Sequence, residues 1–92
     1  MAITLPIIFN SDSEHETLWK SGYAHAEKGD YDKAIEDFTN ILKIKPEDYE
    51  TLTCRGDSYR AKREYDQAVR DYTAALKIKP DYHHTLIKRG NV

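Results

Sequence analysis

Shifted by 34 places, the chain matches itself. Glu16-Thr17-Leu18 falls on Glu50-Thr51-Leu52, Gly22 on Gly56, Lys28 on Lys62, Tyr31-Asp32 on Tyr65-Asp66 and Ala34 on Ala68. Asp37 falls on Asp71, Thr39 on Thr73, and Leu42-Lys43-Ile44-Lys45-Pro46 on Leu76-Lys77-Ile78-Lys79-Pro80. Fifteen of the 34 aligned pairs are identical, which chance does not supply. A fixed period of this length means stacked supersecondary units, each too small to bury its apolar face alone. Two full units are expected, 15–48 and 49–82. Thr85-Leu86 and Arg89-Gly90 then open a third copy, so 83–92 is read as a partial third unit or capping helix.

Within each unit the apolar spacing is helical. Leu18, Gly22 and His25 or Ala26 recur at steps of about four and three, as do Leu52, Gly56 and Tyr59. Ala34, Ile35, Phe38, Ile41 and Leu42 form a second stripe, matched by Ala68, Val69, Tyr72, Ala75 and Leu76. Ser13-Glu14-His15-Glu16 has capping-box spacing, Gly29-Asp30 separates two helices, and Pro46 and Pro80 close each unit. Helices are therefore expected near 15–28, 31–45, 49–62, 65–79 and 83–91, antiparallel between neighbours, with no sheet. Gly22 and Gly56 should let the two helices of a unit approach closely beside Ala34 and Ala68, with Tyr31, Phe38, Tyr65 and Tyr72 filling the wider spaces.

Residues 1–14 precede the repeat, and Pro6 in the apolar run Ile3 to Phe9 disfavours helix, so an extended segment is expected there. The run is too short for a membrane span and has no basic flank for a signal peptide. Cys54 is the sole cysteine, which excludes an internal disulfide and any multi-cysteine zinc site. A reducing, cytoplasmic setting follows as the expectation. A third of the 92 residues are charged and the net charge is −2. The charge is unevenly placed. Residues 1–48 carry ten acids and five bases, whereas 49–92 carry six acids and nine bases.

These residues resemble the tetratricopeptide repeat family. The period, the helix pattern and the signature set Gly22, Tyr31, Ala34, Phe38 and Pro46 carry the likeness, which covers nearly all of the chain after residue 14. It departs where Ser21, Arg55 and Arg89 stand in place of a large apolar residue, where His25 replaces an aromatic and where Ile41 replaces an alanine. The resemblance implies an all-α fold of antiparallel helix hairpins, two full units plus the first helix of a third, in a right-handed solenoid segment. It also implies a concave groove. Glu16, Trp19, Lys20, Tyr23 and Glu27 should line it from the first unit, Glu50, Thr53, Cys54, Asp57 and Arg60 from the second, and His84, Ile87 and Lys88 from the last helix.

Such a groove suits an extended or helical peptide, making the chain a protein-binding adaptor or scaffold of unknown partner. Part of the family grips chaperone C-terminal tails with lysine, asparagine and arginine. The matching positions are Trp19, Tyr23, Cys54, His84 and Lys88, of which only Lys88 has a suitable charge, so a chaperone tail does not fit. No catalytic set, cofactor or metal site is expected: His83 and His84 diverge around a helix, and Cys54 has no paired base at a recognisable spacing. Arg55, Arg60, Lys62, Arg63 and Arg70 lack interleaved aromatics, so nucleic acid is not expected either, nor a membrane. The alternative to an adaptor is a self-assembly element. Its unfinished third unit and uneven charge would favour a homodimer.

Overall fold

A computed structural model describes residues 11–82 together with Thr85 and Arg89. Four helices follow in order: α1 Ser11–Glu27, α2 Tyr31–Ile44, α3 Tyr49–Ala61 and α4 Tyr65–Ile78, with no strand among the described residues. Each helix packs on its neighbour in sequence, while α1 and α3 touch at few points and leave a valley between them. Thr85 and Arg89 are helical too, and the rest of the expected fifth helix lies outside the described residues.

Helix α1 begins at Ser11, four residues before the expected start. Ser11–Glu14 contains neither proline nor glycine to stop a helix from extending backwards, so Ser13 lies inside the helix and not at its cap. Residues 11–14 of the segment expected to be extended are therefore helical, and its residues 1–10 lie outside the described part.

The hairpin seams follow from the small residues. A methyl group placed on Gly22 would stand 2.7 Å from Phe38 Cε1, and one on Gly56 would stand 2.7 Å from Tyr72 Cε1. Each glycine thus seats the aromatic ring of the facing helix. Ala34, Phe38 and Ile41 form the buried core of the first hairpin, with Leu18, Trp19, Ala26 and Cys54 packed around them. Leu52, Ala68, Tyr72, Ala75 and Leu76 are buried in the second. Of the four aromatic fillers, Phe38 and Tyr72 are buried, but Tyr65 is 47% exposed. Its counterpart Tyr31 shares a hollow with Cys54, Ser58 and Ala61 of the following unit. A ring at this place is covered by the next hairpin, not by its own.

The turns inside the two hairpins share one backbone path. The amides of Gly29 and Asp30 donate to the carbonyls of Ala26 and His25, and those of Arg63 and Glu64 donate to Arg60 and Tyr59. This is the Schellman closure, and it needs a left-handed residue just past the helix end. Gly29 supplies it at φ 83°, and Arg63 is forced into it at φ 65°.

Candidate functional site

The valley between α1 and α3 holds two adjoining hollows. One, of about 540 Å³, is lined by Trp19, Tyr23, Glu50, Thr53, Cys54, Asp57 and Tyr82. The other, of about 290 Å³, is lined by Tyr23, Ala26, Tyr31, Phe38, Cys54, Asp57, Ser58, Arg60 and Ala61. Tyr23, Cys54 and Asp57 border both, so the two form one trough along α3.

Seven of the expected groove residues meet there. On α1, Trp19 and Tyr23 sit one helical turn apart, and their rings stack with centroids 5.3 Å apart. Trp19 also meets Phe38 edge-on at 6.2 Å, which seats it on the core. On α3, Glu50, Thr53, Cys54 and Asp57 share one face, and Arg60 extends it one turn further. Thr53 is only 3% exposed and its hydroxyl is engaged with Tyr49 O at 2.9 Å and Thr85 Oγ1 at 2.8 Å. It forms part of the trough wall and of the joint to the third segment.

Glu16, Lys20 and Glu27 are exposed and line neither hollow. Glu16 and Lys20 pair with each other at 3.7 Å on the solvent side of α1. His84, Ile87 and Lys88 lie outside the described residues. Tyr82 enters the wall unannounced by any groove pattern. Its ring meets Tyr49 edge-on at 5.1 Å, so the first and last residues of the second unit close its open end. In the first unit the same two places hold His15 and Asp48, joined at 2.7 Å. Burial of Asp48 disfavours its charge, yet hydrogen bonds from His15 and Thr51 outweigh that and hold its carboxyl below the ordinary value.

The polar seam behind the trough was also missed. Ser21 donates to Asp37 at 2.6 Å, and His25 Nδ1 lies 3.1 Å from the same oxygen. One unit later Arg55 clamps Asp71 through Nε at 2.8 Å and Nη2 at 2.7 Å, and its Nη1 reaches back to Thr39 at 3.2 Å. Two of the places where this chain lacks the pattern's large apolar residue, Ser21 and Arg55, are thus filled by polar partners for an aspartate 16 positions on. The identity of Asp37 with Asp71 was the available signal. On the trough side, the Tyr72 hydroxyl donates to Asp57 at 2.6 Å. Burial first, and then the Asp57 charge, push that phenol far up and keep it neutral.

A further hollow of about 700 Å³ lies over the α2–α3 turn, walled by His15, Lys45, Pro46, Glu47, Asp48, Tyr49 and Glu50. Charged turn residues dominate it, and among the described residues Tyr49 is its one benzenoid wall. Among the described residues no group of three or more His, Cys, Asp or Glu is placed to hold a metal ion. No helix among them is long and apolar enough to cross a membrane.

No curated protein matches the chain. Two family models do, both described as tetratricopeptide repeat, one over residues 15–48 and the other over 49–82. Repeats of this kind generally mediate protein–protein interaction and are typically not enzymes. With both models matched and helix hairpins beneath them, the chain belongs to the tetratricopeptide repeat family.

Proposed function

We propose that this chain is an adaptor that binds a peptide or helix of another protein in the α1–α3 trough. The observation that carries the reading is the stacked Trp19–Tyr23 pair facing Cys54 and Asp57 across continuous hollows. Rigid aromatic faces beside a trough are the usual anchors of a protein interface. A chaperone-type acidic tail does not suit it, because the clamp positions in the trough hold Trp19, Tyr23 and Cys54, none of which carries a positive charge. Cytoplasmic residence fits the single cysteine and remains part of the proposal.

The sole cysteine makes a direct test available. A photo-crosslinker attached at Cys54 should capture the partner, and Trp19→Ala should abolish the capture while the chain keeps its helix content. Capture that is unaffected by Trp19→Ala would place the binding surface elsewhere.

Self-assembly is the second reading. Tyr65 and Ile78 on α4 are 47% and 40% exposed, and apolar groups of that size suit a contact with another chain. Light scattering at two protein concentrations tests it. A mass that stays at one chain, at high concentration and low salt, overturns it.

A further inference from the structure

The trough has a polarity. Glu50 stands at its α3 N-terminal end, beside Trp19, Tyr23 and Tyr82. Arg60 stands at the other end, beside Tyr31 and Ala61. Between them the wall is Cys54, Ala26, Phe38 and Ser58, with the Asp57 carboxylate bordering both hollows. Neither Glu50 nor Arg60 is in an ion pair among the described residues. Asp57 accepts from the Tyr72 hydroxyl, which ties its carboxylate to the wall.

We infer that the trough takes an extended segment that sets a lysine or arginine side chain against the aromatic cluster at Glu50 and an acidic side chain against Arg60. This rests on the trough being the binding surface and adds the chemistry and direction of what fills it. A cation over exposed aromatic faces gains from the ring quadrupole, and a carboxylate at the edge adds to that gain. No lysine or arginine among the described residues lines the hollow of Trp19, Tyr23, Glu50 and Tyr82, and Lys45 shares with Glu50 only the separate hollow over the α2–α3 turn. Burial, and after it the charge on Glu50, push the Tyr82 phenol up, so the field of Glu50 reaches that wall. Glu50 and Arg60 lie ten helical steps apart, or about 15 Å along the axis, and an extended chain covers that span in about five residues. The occupant is therefore a short motif with a base at one end, an apolar middle and an acid at the other.

Trp19, the only tryptophan of the chain, reports occupancy by its fluorescence. Four pentapeptides, acetylated and amidated so that their ends are neutral, are titrated in turn: Arg-Leu-Leu-Leu-Glu, Arg-Leu-Leu-Leu-Arg, Glu-Leu-Leu-Leu-Glu and Gln-Leu-Leu-Leu-Gln. The first should bind about fivefold more tightly than the last, as expected from one cation–π contact and two exposed ion pairs. Glu50→Arg should shift the preference to the doubly acidic peptide, and Arg60→Glu to the doubly basic one. Equal binding of all four to the parent chain would overturn the charge assignment and leave the trough reading standing. Binding of none, with Cys54 crosslinking also silent, would remove both. The ranking on the parent chain decides the matter even if a variant fails to fold.

Discussion

The two hairpins carry the same frame and fill it differently. Both set a glycine under an aromatic ring and an aspartate on the second helix of the unit, but the partners of those groups change together. In the first unit Asp37 is held by the neutral hydroxyl of Ser21 and by His25, and the ring over Gly22 is Phe38. In the second, Asp71 is gripped at both oxygens by Arg55, and the ring over Gly56 is Tyr72, tied to Asp57. The inner turn changes as well: Gly29-Asp30 with a side-chain cap on Lys33 N becomes Arg63-Glu64 without one. Lys62 partly compensates, bridging Glu64 and Asp32 of the neighbouring unit. The shape of a repeat tolerates little variation because close packing does not, whereas a polar contact is tolerant so long as donor and acceptor change as a set.

The largest expected contrast is between the aspartates. Asp71→Ala strands the half-buried Arg55 guanidinium and should cost about 2 to 4 kcal/mol, less than for a fully buried pair because Arg55 keeps some solvent. Asp37→Ala removes the partner of a hydroxyl and an imidazole and should cost about 1 to 2 kcal/mol. Urea melts of the two variants measure the difference. Equal losses would mean that the second seam gains nothing from its charge.

Next come the glycines. Gly56→Ala pushes a methyl into a ring that is tethered through its hydroxyl, and should cost about 1 to 3 kcal/mol. Gly22→Ala meets Phe38, which has no tether and tilts aside more easily, so its cost should be smaller. The substitution Tyr72→Phe converts the second ring to the first, and on that background the two glycine variants should melt with similar losses. If Gly56→Ala stays worse there, the tether is not the cause.

A smaller contrast appears in acid. The folded pKa of Asp48 lies below its unfolded value of about 3.9, so its contribution to stability is present above that pH and is lost as pH falls through the folded pKa. Thermal melts between pH 5 and pH 2, values that bracket roughly that range, should show the loss, and His15→Gln should shrink it. Tyr82, which holds the same place in the second unit, carries no charge to lose in that range. An unchanged acid profile in His15→Gln would remove the histidine as the cause.

The smallest effect should be a gain. Arg63→Gly relieves a left-handed arginine at the place where the first unit already has Gly29, and should stabilise the fold by about 0.5 to 1 kcal/mol after the extra chain entropy of glycine is subtracted. Destabilisation would mean that the Arg63 side chain holds something that its backbone geometry does not reveal.

Much of this molecule was legible before any coordinates. Period and spacing determined the two helix hairpins, because burying one stripe per helix leaves a mark every three or four residues. They also located the seams at Gly22 and Gly56, since only a residue without a side chain allows that approach. Trp19, Tyr23 and the α3 face from Glu50 to Arg60 came into view only through the family resemblance. What the helices place on their solvent side did not follow: Glu16, Lys20 and Glu27, expected in the groove, line neither hollow. Periodicity assigns a residue to a helix face but not to one side of a valley between two helices. The partners of Asp37 and Asp71, the entry of Tyr82 into the wall and the exposure of Tyr65 were decided by the tertiary structure alone. Each depends on which atoms from distant parts of the chain arrive within contact distance, and a pattern of residue types along one helix holds no record of that.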